Sequence, residues 1–179
     1  MERNIILIGM PGAGKSTIGV ILAKMLAMDF TDSDLVIQKE EGRTLSRIIA
    51  EEGTEGFIEI ENRILASLNL KKTVIATGGS AVYGKQAMQH LSEDGIIVYL
   101  HLSYDAVSER LHDIKGRGVV LREDQTLFDL YEERCLLYEQ YADLTIEEDG
   151  LCVEETLEEV LRILAGAGEK SLKPSAPRA

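Results

Sequence analysis

Tryptophan is absent from the 179 residues, and prolines number three, cysteines two and histidines three. The two cysteines, Cys135 and Cys152, are too few for a disulfide framework and read as buried thiols of a reducing compartment. His90, His101 and His112 show no metal-ligand spacing with each other or with the cysteines. Long apolar runs are also missing. The longest early one, Ile5 to Ile8, is far too short for a membrane span or a signal core. Positive charge is scarce: 19 Lys and Arg against 31 Asp and Glu leave a net charge of −12. That excess argues against non-specific binding of nucleic acid or anionic lipid. It does not argue against a phosphate ligand, because a nest of backbone N–H groups attracts an anion locally. The expectation is a cytoplasmic protein with no nucleic-acid and no membrane partner, and nothing in the sequence demands more than a monomer.

The length fits one domain. Residues 1–165 show neither linker nor repeat. Residues 166–179, GAGEKSLKPSAPRA, are small, polar and aperiodic, and read as a disordered tail. Strands are expected at Asn4–Ile8, Thr73–Ala76, Gly95–His101 and Ala142–Ile146. Helical stripes cover Thr17–Ala27, Ser103 to about His112, Leu127–Tyr141 and Glu154–Leu164. Strands alternating with helices mean βαβ units and a parallel sheet with helices on both faces, an α/β fold.

Gly9-Met10-Pro11-Gly12-Ala13-Gly14-Lys15-Ser16 fits G-x-x-x-x-G-K-[ST] between an expected strand and an expected helix. The glycines let backbone N–H groups turn inward around an anion, and the helix N-terminus adds partial positive charge. Lys15 reaches β- and γ-phosphates, and the Ser16 hydroxyl suits Mg²⁺. The pattern arises by chance in on the order of one chain in a hundred of this length, and its strand–helix context reduces that further. Proteins with such a loop include GTPases, motor ATPases and small-molecule kinases. No guanine-reading N-K-x-D motif is present, and the chain has no room for a motor's large insert. A small-molecule kinase remains.

Asp32-Ser33-Asp34 follows the first helix and a short apolar segment ending at Phe30. One carboxylate can serve the Mg²⁺ shell while the other accepts or orients the proton of an attacking hydroxyl. The same residues equally suit an N-cap for a helix at Leu35–Glu40. Glu147-Glu148-Asp149 reads as a solvated turn. His101, at a strand end, reads as a structural histidine.

At this point the sequence resembles the shikimate kinase family. The resemblance is carried by GMPGAGKSTIG at 9–19, TDSD at 31–34, GRTLSRIIAEEG at 42–53 and the phenylalanine and glutamate of GFIEIE at 56–61. It continues through TGGSAV at 77–82, the arginine of GRGVV at 116–120 and EERCLLYEQYADLTI at 132–146. It implies a nucleoside-monophosphate-kinase-like α/β/α fold, a five-stranded parallel sheet and a mobile lid at about 113–124. It implies ATP- and Mg²⁺-dependent phosphorylation of a ring hydroxyl on a small hydroxylated acid, shikimate, in aromatic amino-acid biosynthesis. By position, Gly12, Ala13, Gly14, Lys15, Ser16 and Thr17 hold the nucleotide, with Arg110 stacking on adenine and Arg117 meeting the phosphates from the lid. Ser16 and Asp32 serve the metal. Asp34 is the candidate base and binds the acceptor hydroxyls, alongside Phe57, Gly78, Gly79 and Arg134. Asp34, Lys15 and Arg117 form the catalytic set.

The departures from the family lie on the acceptor side. Ile58 stands where the family has a carboxylate-gripping arginine, Ser80 where it has a third glycine, Gly118 where a proline follows the lid arginine, and Thr54 where a glutamate is usual. An arginine–carboxylate fork contributes ~1.5–3 kcal/mol, so its loss lowers affinity ~10–150-fold. Arg134 remains to hold a carboxylate, with Arg47 or Arg122 as helpers. Three readings stand at this level: shikimate bound by other contacts; a less anionic acceptor such as a polyol, sugar or amino alcohol; or a non-catalytic nucleotide-binding module.

Overall fold

The computed structural model describes residues 3–111 and 125–169, with side chains through Gly166. The lid expected at about 113–124, with Arg117 and Arg122, lies outside the described residues, as does the end of the tail, 170–179.

Strand β1 (Asn4–Ile8) is buried at every position, so both faces of the sheet are covered. It pairs in parallel with β3 (Thr73–Ala76) on one side and β4 (Gly95–His101) on the other. Strand β2 (Asp29–Asp32) extends the sheet beyond β3, and β5 (Leu144–Glu147) extends it beyond β4. The order is β2-β3-β1-β4-β5, all parallel. Ile5, Ile6, Leu7, Val74, Ile75, Ile97 and Val98 form the centre of the core. Parallel strands need long crossovers, and seven helices among the described residues supply and flank them. They are α1 (Lys15–Leu26), α2 (Ser33–Glu41), α3 (Leu45–Ala66), α4 (Lys85–Asp94), α5 (Tyr104–Arg110), α6 (Leu127–Tyr141) and α7 (Val153–Glu169).

Two long helices, α3 and α4, are not among those expected from periodicity. Helix α3 hides because Gly53 (φ 73°, ψ 179°) breaks it into two pieces that share no single apolar stripe. Strand β2 hides because its sequence, Asp-Phe-Thr-Asp, is mostly polar, as an edge strand allows. Helix α7 continues past Leu164 to Glu169, so the first residues of the expected tail are helical. Small residues there lack a stripe but do not stop a helix already nucleated. Cys135 is half-buried and accepts the Tyr99 hydroxyl hydrogen bond at 3.3 Å, but Cys152 is exposed, against expectation, just before α7. No described helix is long and apolar enough to cross a membrane.

The strand order places three loops together. Those after β1, β2 and β3 all leave the carboxyl ends of neighbouring strands, where ligands of open α/β sheets bind. Thr77 binds this region together: its N–H and its hydroxyl both donate to the Leu7 carbonyl, at 3.1 and 3.0 Å. The Ser33 hydroxyl accepts from the Gly78 N–H at 3.0 Å, joining the loop after β3 to α2.

Candidate active site

The loop after β1 starts at Gly9, which has φ 146° and stands where a Cβ would be 2.5 Å from the Leu100 carbonyl oxygen. A backbone that close to β4 admits no side chain. The loop then turns through an Ala13 N–H to Met10 carbonyl bond of 3.1 Å and enters α1 at Gly14. Helix α1 has no side-chain cap and no acidic residue in its first turn. By contrast, Asp32, Thr44, Ser103 and Thr126 cap α2, α3, α5 and α6 with side-chain oxygens. The unpaired N–H groups at the start of a 12-residue helix are therefore left for an anion.

Lys15 is 8% exposed and folds over this loop. Its ammonium donates to the Gly9 and Met10 carbonyls at 2.8 and 2.9 Å. Burial pulls its pKa down to about 8, against the opposing pull of Asp34, Glu148 and Asp32. Gly14, Ser16 and Thr17 are exposed on the same loop, with Gly12 half-buried and Ala13 buried beneath them. Arg110 is exposed and donates to the Gly12 carbonyl at 3.2 Å, which puts its guanidinium at the rim of the phosphate loop.

The N-cap reading of Asp32-Ser33-Asp34 holds, and Asp32 also faces the phosphate loop. Asp32 caps α2, its Oδ1 accepting from the Asp34 N–H at 3.0 Å. Its Oδ2 accepts from the Ser16 hydroxyl at 2.7 Å. A hydroxyl and a carboxylate so placed are hard oxygen ligands that fit Mg²⁺, which takes one or two protein oxygens together with phosphates and water. No cluster of three or more acidic, His or Cys side chains suited to a metal occurs among the described residues. Asp34 starts α2 and is half-buried. Burial and then the nearby Asp32 raise its pKa to about 6, while Lys15 opposes them.

Gly78 and Gly79 allow a close approach that any side chain would block. A Cβ on Gly78 would lie 2.6 Å from Glu61 Oε1 and 2.8 Å from Asp34 Oδ1. On Gly79 it would lie 2.9 Å from both an Arg134 guanidinium nitrogen and Pro11 Cδ. Arg134, on α6, is 1% exposed; its guanidinium sits 5.4 Å from the Tyr83 ring centroid. Tyr138, one turn on, donates to the Gly79 carbonyl at 2.7 Å. Gly78→Ala is expected to separate the two carboxyls and displace the acceptor by a fraction of an ångström. The acceptor KM should rise by up to ~10²-fold while the nucleotide KM barely changes. Steady-state kinetics on both substrates checks this, and equal changes in both constants would contradict it.

Lys15, Ser16, Asp32, Asp34, Gly78, Gly79 and Arg134 thus converge, with Arg110 at the rim. Phe57 does not join them in the open; it is 3% exposed within the core and braces the face of α3 that carries Glu61. Arg47 does not join them either, being bonded to Glu51 at 2.7 Å, as Arg63 is to Glu41. Two carboxyls escaped the sequence reading. Glu61 was part of a quoted motif without a role, yet it is 1% exposed. Its spacing of four from Phe57, on an apolar helix face, was the available signal. Glu148 is 4% exposed rather than solvated. Burial raises its pKa to about 7, while Arg110, Lys15 and Thr156 oppose that rise. Its inward position follows from alternation, since Ile146 points in and Glu147 out.

A family model described as shikimate kinase matches residues 11–165. A shikimate kinase of Pasteurella multocida is 43% identical over 152 residues, 83% of this chain and 87% of its own length. The solved structure of Acinetobacter baumannii shikimate kinase in complex with shikimate superposes with a TM-score of 0.81 at 34% identity, covering 96% of each chain. That of Aquifex aeolicus shikimate kinase gives 0.78 at 30% identity, covering 92% of this chain and 98% of the other. A match spanning nearly the whole folded domain, together with the phosphate loop and its facing carboxyls, shows that the chain belongs to the shikimate kinase family.

Proposed function

We propose that this protein phosphorylates shikimate, transferring the γ-phosphoryl group of ATP to a ring hydroxyl. The observation that carries the reading is the convergence of Lys15, the Ser16–Asp32 pair, Asp34 and the buried Arg134 around Gly78 and Gly79. The α1 N-terminus and Lys15 hold the β- and γ-phosphates. Arg110 lies at the rim, where it packs against the base. Ser16 and Asp32 would hold Mg²⁺, which would supply neutralisation of phosphate charge. Arg134 takes the acceptor carboxylate. Asp34 orients the acceptor hydroxyl and accepts its proton as the oxygen bonds to phosphorus and ADP leaves. The donors are fixed before reaction, so positioning and electrostatics do most of the work. The protein acts in the cytoplasm, where ATP is supplied, as a monomer on a small diffusible acceptor and without nucleic-acid or membrane partners.

Ile58 favours a second reading. It is half-buried, is not among the residues packed on the core, and offers no polar atom. An acceptor with less negative charge would need none. A coupled ADP-release assay with Mg·ATP and millimolar shikimate, with the product mass confirmed, decides between them. Shikimate-dependent turnover supports the first reading. ATP binding without stimulation by shikimate sends the test to polyols, sugars and amino alcohols.

A further inference from the structure

Helix α3 carries a carboxyl group that its surroundings leave unsatisfied. Glu61 is 1% exposed, and neither Oε1 nor Oε2 has a hydrogen-bond partner of good geometry. Buried polar atoms are nearly always paired, and a buried unpaired charge is costly. Such a group stays uncharged, meets a ligand, or does both.

Its place is the acceptor side, not the nucleotide side. Oε1 and the Asp34 carboxyl oxygen approach one point above Gly78, at 2.6 and 2.8 Å. The groups that act on Glu61 come from every neighbouring element. They are the Ser80 hydroxyl before the 3₁₀ turn Ala81–Tyr83, Asp34 from α2, Arg134 from α6 and Lys15 from α1. The buried Tyr138 hydroxyl on α6 also feels Glu61. Burial first, and Asp34 with it, raise the Glu61 pKa to about 7, while Ser80, Arg134 and Lys15 oppose the rise. Ile58, one turn earlier on α3, contributes no charge.

A carboxylate acceptor entering this cleft meets one described guanidinium, Arg134, and two acids. With both acids ionised the cleft repels it. Asp34 is needed as a carboxylate to take the hydroxyl proton. We propose that Glu61 is a further acceptor-binding residue, which engages a carboxylate-bearing acceptor in its uncharged form and donates its O–H to that anion. This rests on the shikimate reading above. The arrangement makes acceptor binding proton-linked: anion and proton enter together, and acceptor affinity falls as Glu61 ionises.

The test is the acceptor KM as a function of pH at saturating Mg·ATP, in the parent and in Glu61→Gln. In the parent, the shikimate KM is expected to rise roughly 25-fold from about pH 6.5 to about pH 8.5. Glutamine keeps an N–H donor and has no charge, so Glu61→Gln should flatten that rise. Ile58→Arg, which sets a guanidinium one turn from Glu61, should also flatten it while lowering KM at high pH. Calorimetry in buffers of different ionisation enthalpy should show proton uptake with shikimate in the parent and none in Glu61→Gln. An unchanged pH slope in Glu61→Gln overturns the proposal, as does a KM raised equally at every pH, which marks a purely structural role. Turnover of shikimate with a flat parent profile overturns it alone. Failure to bind or turn over shikimate at all overturns both it and the substrate reading.

Discussion

Lys15→Ala is expected to lower kcat by about three orders of magnitude and to weaken ATP binding, with the fold intact. The magnitude follows from removing one preorganised positive donor from a phosphoryl-transfer site. Lys15 is a better donor than an exposed lysine because it is buried and already held over the loop by the Gly9 and Met10 carbonyls. Little reorganisation remains to be done when phosphate arrives. The same burial lowers its pKa to about 8, so the free protein loses this charge on the alkaline side. kcat/KM for ATP should therefore fall above about pH 8 in the parent, since that ratio reports the free protein. In Lys15→Ala this alkaline limb should vanish with the activity. Lys15→Met keeps the apolar stem that fills the loop and separates loss of charge from loss of packing. Calorimetric ATP titration and thermal melting complete the measurement. Near-normal turnover in either variant would remove the loop lysine from the mechanism.

The phosphate loop was legible because its signal is local. Glycine spacing, the lysine and the adjoining strand and helix all lie within one short stretch, and the structure adds only the missing cap of α1. The strands at Asn4–Ile8, Thr73–Ala76 and Gly95–His101 were legible for a related reason: strands buried on both faces read as continuous β-branched runs. Strand β2 lacks such a run and sits at an edge, and α3 is split at Gly53, so periodicity missed both. Asp32 shows how one side chain can make two contacts at once. Its Oδ1 caps a helix and its Oδ2 holds Ser16, and sequence spacing alone cannot assign two atoms of one side chain. Glu148 is missed because charge reads as exposure, and Glu61 because its motif assigns it no role. Helical and strand periodicity place both inward, and there the direction of a side chain outweighs its polarity. The acceptor side is also the hardest to read because its parts come from distant segments. Glu61, Gly78 and Arg134 meet only through the sheet order and the packing of α3 and α6.

Asp34→Asn should lower kcat by ~10²–10⁴-fold, the range for a positioned general base, and leave ATP affinity within a few-fold. Asparagine keeps the volume and one carbonyl oxygen but cannot take up the hydroxyl proton at neutral pH. The surroundings make the change a clean one. The Asp34 N–H bond to Asp32 Oδ1 is a backbone contact and survives it, so the cap of α2 and the Ser16–Asp32 pair stay in place. Removing a negative charge beside Lys15 and Asp32 also leaves no new unpaired cation, because Lys15 keeps its two carbonyl partners. In the parent, burial and the neighbouring Asp32 hold Asp34 near 6, so kcat/KM should fall on the acid side below about that pH. The sign is fixed by the role: the carboxylate form works, and protonation stops it. Asp34→Asn should lose the acid limb together with the rate. Asp34→Glu, which restores a carboxylate but displaces it by one methylene, should recover part of the limb and little of the rate, since geometry dominates transfer. If Asp34→Asn lost ATP affinity and turnover in equal measure, the residue would be a structural support for the phosphate loop. If the acid limb persisted with a low rate, another group would be the one taking the proton, and Glu61, which shares the approach to Gly78, would be the first to replace.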